Sequence, residues 1–166
     1  MLKLAELNAM DSDQFTGVLG GIFEHSPWVP AETADKRPFD STGELHKALC
    51  QTVMEASEDK QLALIRAHPD LVGKATLTAE STGEQAAAGL GQLSQSEIAQ
   101  FQDYNARYRE RFGFPFVICA RLNKKDAILQ AFPIRLQNSR EQEIETALRE
   151  IFKIAELRLK DLIANE

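Results

Sequence analysis

The chain has 166 residues, with 25 acidic and 19 basic side chains, a formal net charge of −6 and 43% hydrophobic residues. This length and composition are typical of one globular domain, and no segment is both apolar and long enough to span a bilayer. The acidic balance, without a dense Lys/Arg stripe, argues against a nucleic-acid partner. We therefore expect one soluble, cytoplasmic domain over residues 1–166, with no membrane partner.

The two cysteines, Cys50 and Cys119, lie among apolar neighbours. Because the start of the chain lacks the apolar core of a signal peptide, reduced core thiols are expected rather than a disulfide.

The first helix signal begins at Asp11, which can cap a helix while Gln14 reaches back as its capping-box partner. Apolar residues then recur with the helical period and predict one buried face ending near residues 24–25. Ser26 predicts a second start, with Pro27 at the first helical position. The residues of the first face are Phe15, Val18, Leu19, Ile22 and Phe23.

Ser41 and Glu44 form the capping box of the next predicted helix, and Ser57 restarts the chain toward His68. Because the residue before a proline is disfavoured in the α conformation, this later helix should stop at His68, before Pro69. His68 is then placed at a junction and not on a helix face.

Thr78 is the predicted cap of a helix through Ala88, closed by Gly89 and Gly91. One face of this helix is polar where a core face should be apolar, and periodicity alone favours an exposed surface. That face consists of Ser81, Glu84, Gln85 and Ala88.

A longer helix is predicted from the capping box at Ser94 to Gly113. The run 114–120 that follows is strand-like, but the sequence offers no second strand to pair with it. We interpret it as a buried extended segment whose backbone N–H and C=O groups need partners elsewhere.

Asn123 is the predicted cap of the next helix, which Pro133 should kink or shorten. Ser139 opens the last and longest helix, so that the whole chain is predicted to be an all-α, single-domain helical bundle with short connections. The core side of the last helix is predicted to contain Ile144, Leu148, Ile151, Ala155 and Leu162.

Arg158 falls near the middle of that apolar stripe, where a permanent positive charge needs an anionic or strongly accepting partner. Its position alone favours a structural ion pair with a glutamate, or an extended side chain whose guanidinium reaches water. His68 alone is similarly more typical of a hydrogen-bonding residue at a helix end than of a catalyst. No metal-ligand spacing, glycine-rich phosphate loop or GxSxG motif occurs.

Four separated motifs nevertheless resemble the 2-oxo-4-hydroxy-4-carboxy-5-ureidoimidazoline (OHCU) decarboxylase family of urate breakdown. They are HPDLVG at 68–73, LTAESTGEQAAAGL at 77–90, FGFPFVIC at 112–119 and KIAELRL at 153–159, and FEHSPWV at 23–29 is also similar. The match to the family runs over nearly the whole chain, and the motifs occur in the family's order.

The resemblance implies an all-α, homodimeric enzyme that needs no cofactor or metal and decarboxylates OHCU to (S)-allantoin. His68, Glu84 and Arg158 fall on the family's catalytic positions. Further residues match the family's substrate-binding positions, namely Pro69, Ser81, Gln85, Phe116, Val117, Ile118, Cys119 and Ala120. The resemblance implies that the last five of these contribute their backbone groups.

Two departures from the family pattern stand out: a short connection from Gly73 to Leu77, and Pro133 within a helix that commonly runs on. Two other functions are alternatives. One is a non-catalytic helical interaction module in which Arg158 and Glu84 pair internally, and the other is a lyase or hydrolase for another small ureido or imidazoline compound.

Overall fold

A computed structural model describes residues 1–72 and 78–164, and these residues form an all-α fold as predicted. Within them, the β-type pairing recorded is an isolated parallel bridge between Leu2 and Ile163. The connection from Gly73 to Leu77, which the sequence suggested to be short, lies outside the described residues. The α-helices of the described part are α1 (Leu4–Ala9), α2 (Ser12–Val18), α3 (Trp28–Thr33), α4 (Thr42–Glu55), α5 (Glu58–Arg66), α6 (Ala79–Ala87), α7 (Gln95–Phe112), α8 (Lys125–Arg135) and α9 (Arg140–Leu162).

The chain divides into two compact units. The first unit comprises Met1–Ala67 and Phe152–Glu166, and the second comprises His68–Ile151. The single domain expected over 1–166 stays a prediction.

Several helix ends follow directly from local sequence. Asp11 accepts the N–H of Gln14 at 2.8 Å, and Gln14 Oε1 accepts the N–H of Asp11 at 3.2 Å, which is the predicted capping box of α2. Ser94 and Glu97 form the same reciprocal pair at the start of α7. Side-chain oxygens of this kind satisfy backbone donors that have no partner inside the helix.

Three of the predicted boundaries were wrong. Helix α2 ends at Val18 and not near residue 24, because the glycines Gly20 and Gly21 favour the turns that follow it. Ser26 does not cap α3, since its hydroxyl donates to the C=O of Glu24 at 2.7 Å and Pro27 occupies the N-cap position. Asn123 likewise donates to the C=O of Cys119, and Lys124 precedes α8.

Aromatic rings form much of the core of the second unit. Phe116 stacks on Phe132 with ring centroids 3.9 Å apart, and Tyr108 meets Phe116 edge to face at 5.3 Å. Segment 114–120 is buried, as predicted, and it leads into a 3-10 turn, Ala120–Leu122. Helix α8 retains Pro133 and ends two residues later, at Arg135.

The buried face of α9 differs from the predicted stripe. Leu148, Ile151 and Ala155 are buried, but Ile144 and Leu162 are only half-buried. Three charged side chains share the buried face instead, and sequence reasoning had identified only the last of them: Glu143, Glu150 and Arg158.

Two glycines provide a matched test of helix geometry. Gly113 ends α7 with φ +81°, in the left-handed region, whereas Gly17 lies inside α2, and a Cβ at either position would meet nothing within 4 Å. Gly113→Ala should therefore lower the free energy of unfolding by about 1–2 kcal/mol, whereas Gly17→Ala should raise it by up to roughly 1 kcal/mol. Urea unfolding curves measure both values, and equal effects of the two substitutions would contradict this account of the α7 terminus.

Candidate active site

His68 follows α5 at the position where the sequence ends the helix. The last turn closes through the N–H of Ala67, which donates to the C=O of Ala63 at 3.0 Å. The side chain of His68 is buried, since the residue is only 6% exposed, and Pro69 beside it is half-buried. A buried imidazole thus lies at the start of the second unit.

Helix α7 anchors the turn after His68 through two side chains. Arg109 of α7 donates through Nε to both carboxylate oxygens of Asp70, at 2.9 and 3.1 Å. Asn105, one helical turn earlier, donates to the C=O of Leu71 at 2.8 Å. These contacts fix the chain immediately after His68–Pro69.

Val72 is the strained residue of this turn. Its φ of +58° lies in the left-handed region, which costs a β-branched residue of the order of 1–3 kcal/mol. Its N–H donates to Gln85 Oε1 of α6 at 3.3 Å. Backbone strain held in place by a side chain in this way is frequent at functional sites.

The polar face of α6 is the inner face of the helix. Ser81 is 6% exposed and Ala88 is buried, while Glu84 and Gln85 are half-buried. The opposite side of α6 is exposed, so the surface location favoured by periodicity alone was wrong. The predicted N-cap is present, because Thr78 Oγ1 accepts the N–H of Ser81 at 3.1 Å.

The C-terminal end of α6 lies beside the 3-10 turn that follows segment 114–120. The N–H of Lys125 donates to the C=O of Ala88 at 3.2 Å, and Lys124 Nζ donates to the C=O of Ala87 at 2.7 Å. Helix α6 therefore joins the turn after His68, through Gln85, to the region after Ala120.

Charged side chains hold two peptide groups of segment 116–120. Arg135 Nη1 donates to the C=O of Val117 at 2.6 Å, and the N–H of Cys119 donates to Glu150 Oε1 at 3.0 Å. Burial raises the pKa of the Cys119 thiol, and the carboxylates of Glu150 and Glu84 raise it further. The Cys119 thiol therefore stays protonated. The C=O of Cys119 is also paired, because it accepts from the N–H of Leu122 at 3.1 Å and from Asn123 Nδ2 at 3.0 Å.

Arg158 lies in the first unit, where it forms a buried ion pair with Glu24. Arg158 Nη2 donates to Glu24 Oε1 at 2.7 Å, and Nη1 donates to the C=O of Gly21 at 3.0 Å. The two charged side chains are 4% and 1% exposed. The glutamate partner expected from the position of Arg158 is thus present, and Glu24 is a residue that sequence reasoning did not single out.

The second unit brings together most of the predicted site residues. Within it, α6 connects the region of His68 with that of Ala120, and Ser81, Glu84 and Gln85 lie on the inner face of this helix. Arg158 belongs to the first unit. Its place beside the other residues stays a prediction.

The remaining cysteine also shows no nucleophilic character. His46 Nε2 lies 2.8 Å from the C=O of Phe152, which can only accept, so this nitrogen carries the proton and cannot take one from Cys50 Sγ at 3.4 Å. Burial, followed by the charge of Glu156, raises the pKa of Cys50 to about 12. Both thiols are free, as predicted.

Among the described residues, no group of three or more His, Cys, Asp and Glu side chains is arranged to hold a metal ion. In the same ranges, no helix combines the length and apolarity needed to cross a membrane.

An all-α chain with a buried histidine, an inward polar helix face and an irregular backbone segment beside it has the features of an enzyme for a small polar molecule. The family model for OHCU decarboxylase matches residues 8–160. The chain belongs to this family.

A relative from Haloferax volcanii named 2-oxo-4-hydroxy-4-carboxy-5-ureidoimidazoline decarboxylase is 46% identical over 165 residues, which are 99% of this chain and 98% of the relative. A crystal structure of (S)-allantoin synthase matches with a TM-score of 0.82 and 30% identity, covering 99% of this chain but 54% of that longer one. A structure of OHCU decarboxylase in the presence of (S)-allantoin, 24% identical with a TM-score of 0.72, shares the fold over 90% of this chain and 96% of its own.

The ion pair of Glu24 and Arg158 can be tested by a double-mutant cycle. Glu24→Leu and Arg158→Met should each lower the free energy of unfolding by about 3–5 kcal/mol, because each removes the ion-pair partner of a buried charge. The double variant should lose less than the sum, with a coupling of roughly 1–3 kcal/mol measured by urea unfolding.

The pair of Glu145 and Arg149, at 3.4 Å with side chains 69% and 64% exposed, is the matched control and should show almost no coupling. Additive effects at Glu24 and Arg158 would contradict the buried pair.

Proposed function

We propose that this chain converts OHCU to (S)-allantoin and CO₂ in the breakdown of urate. The proposal rests mainly on the relative that carries this activity in its name and is 46% identical over nearly the full length of both chains. The match over residues 8–160 to the decarboxylase family favours this reaction over the non-catalytic module.

In this reaction the bond between a ring carbon and the carboxylate breaks, and CO₂ leaves. The electron pair that remains is delocalised onto a neighbouring ring nitrogen, which takes up a proton. The hydroxyl on the reacting carbon then loses its proton as a carbonyl forms, and a proton is delivered to one face of the adjacent ring carbon, so that one proton is taken up overall. The protein must stabilise the developing negative charge and control these proton movements. None of these steps requires a cofactor, and we propose that the enzyme uses none.

His68 is the proposed acid and base for these proton movements. An imidazole can both accept and donate a proton near neutral pH, and contacts of Asp70 and Leu71 hold the backbone directly after His68. Glu84, half-buried on the inner face of α6, is proposed to set the protonation state of His68 or to orient the ureido group.

Arg158 is the proposed electrostatic catalyst. Binding the substrate carboxylate alone would stabilise the ground state and leave the barrier unchanged. Arg158 therefore contributes most if it faces the negative charge that develops on a ring or hydroxyl oxygen.

The remaining predicted residues are proposed to bind the substrate. Ser81 and Gln85 would form hydrogen bonds with the ureido or ring amides, and Pro69 would line the site. Gln85 already accepts the N–H of Val72 through Oε1, so its Nε2 group is the part that would face a substrate carbonyl. Backbone groups of segment 116–120 would supply the other contacts.

We also propose that the enzyme is a homodimer located in the cytoplasm, with its small-molecule substrate as its partner. Sedimentation equilibrium distinguishes a dimer from a monomer directly.

The activity is tested with OHCU generated freshly from urate. The protein should accelerate the formation of allantoin of a single hand, which circular dichroism follows against the spontaneous reaction. Dialysis against a strong chelator should leave the rate unchanged, because no metal takes part. A rate equal to that without protein would overturn the proposed function.

His68→Asn should lower kcat by roughly 10²–10⁴-fold, the usual contribution of a positioned acid or base, while the folded structure remains. The same dichroism assay measures the loss, and a thermal melt verifies folding. His46→Gln is the control, because it keeps a nitrogen donor near the C=O of Phe152 and should retain the wild-type rate. A His68→Asn variant with near-wild-type turnover would remove His68 from the mechanism.

A further inference from the structure

Ile118 lies between two peptide groups that charged side chains hold in place. On its N-terminal side, the C=O of Val117 accepts from Arg135 Nη1 at 2.6 Å. On its C-terminal side, the N–H of Cys119 donates to Glu150 Oε1 at 3.0 Å.

Each of these contacts also fixes one polar group of Ile118. A trans peptide is planar, and its C=O and N–H point in opposite directions. Both peptides of Ile118 are trans, because the cis bond found in the described residues joins Arg37 and Pro38. The N–H of Ile118 therefore points away from Arg135, and its C=O points away from Glu150.

Within the described ranges, neither the N–H nor the C=O of Ile118 has a hydrogen-bond partner in the protein. The residue is only 9% exposed, and a buried backbone group without a partner is costly. A donor and an acceptor on one residue match the adjacent C=O and N–H of an amide or a urea.

The side chains that orient Ile118 are themselves held firmly. Glu143, 0% exposed, accepts from Arg135 Nε at 2.8 Å and from the Tyr108 hydroxyl at 2.5 Å. The Arg135 guanidinium also lies over the Phe116 ring, 4.2 Å from its centroid. Glu150 is buried on α9.

We propose that Arg135 and Glu150 are positioning residues that aim the N–H and C=O of Ile118 at the ureido group of the substrate. This inference rests on the proposed function. Two residues outside the predicted site would thereby orient the backbone that recognises the substrate.

The test compares three substitutions on α9. Glu150→Met removes the acceptor for the N–H of Cys119, Glu150→Gln keeps an oxygen at that place, and Glu145→Met changes an exposed residue of the same helix. Glu150→Asp, which withdraws the carboxylate by about one C–C bond of 1.5 Å, serves as a second disruptive variant if Glu150→Met does not fold.

Because the ureido group does not react, loosening its binding weakens the ground state and the transition state alike. Glu150→Met and Glu150→Asp should therefore raise KM, by roughly tenfold for two weakened hydrogen bonds, with a much smaller change in kcat. Glu150→Gln should recover most of the affinity, and Glu145→Met should match the wild type.

Amide NMR signals give a readout that loss of stability alone would not produce. Saturating (S)-allantoin should shift the Ile118 amide signal of the wild type. Without ligand, the Cys119 amide signal should move in Glu150→Met and stay near its place in Glu150→Gln. An Arg135→Lys variant, which keeps the charge but not the fork of donors, should raise KM as well.

The outcomes separate the two proposals. A wild type that neither accelerates allantoin formation nor binds (S)-allantoin overturns the proposed function and this inference with it. An active wild type whose Ile118 amide does not respond to (S)-allantoin, or a folded Glu150→Met or Glu150→Asp variant with wild-type KM, overturns this inference alone.

Discussion

Glu143 carries a carboxylate on the buried face of α9, where it is fully removed from solvent. Such a charge is tolerable only when donors surround it, and Tyr108, Arg135 and Asn138 provide them. Burial raises the pKa of Tyr108 far above its usual range. The carboxylate of Glu143 adds to this shift, whereas the charge of Arg135 opposes it. The Tyr108 hydroxyl therefore keeps the proton that it donates to Glu143. Arg135 thereby gains a fixed position from which it holds Val117.

The parts of the fold that could be predicted from the sequence depend on neighbours within four residues. Thr78 and Ser94 begin α6 and α7, and Gly113 ends α7, as expected, because a cap satisfies backbone groups one turn away. The length of α2 could not be predicted in this way. Leu19 and Phe23 are buried as the periodicity indicated, but they lie beyond the end of α2. The hydrophobic pattern indicates which residues are buried, whereas Gly20 and Gly21 determine the local backbone conformation.

The site could be predicted only in part for a related reason. Periodicity placed Ser81, Glu84 and Gln85 on one face, but whether that face points inward depends on what covers it. Glu143 and Glu150 were missed because a glutamate in an amphipathic helix is normally exposed. Their partners lie elsewhere in sequence, such as the N–H of Cys119 for Glu150. A spare backbone donor in segment 114–120 was the available signal, since such a group requires an acceptor.

Arg158 illustrates how a structural contact and a proposed catalytic role can coexist. Its guanidinium cannot lose its charge, so burial in the resting protein requires Glu24, and the pair at 2.7 Å meets that requirement. In the proposed role, this counter-charge would weaken the field of Arg158 at a reacting oxygen. It also fixes the guanidinium before substrate arrives, and a preorganised cation needs no reorganisation when charge develops. In the proposed role, the geometry that Arg158 gains from Glu24 outweighs the field that Glu24 removes, and the two residues act as one functional unit.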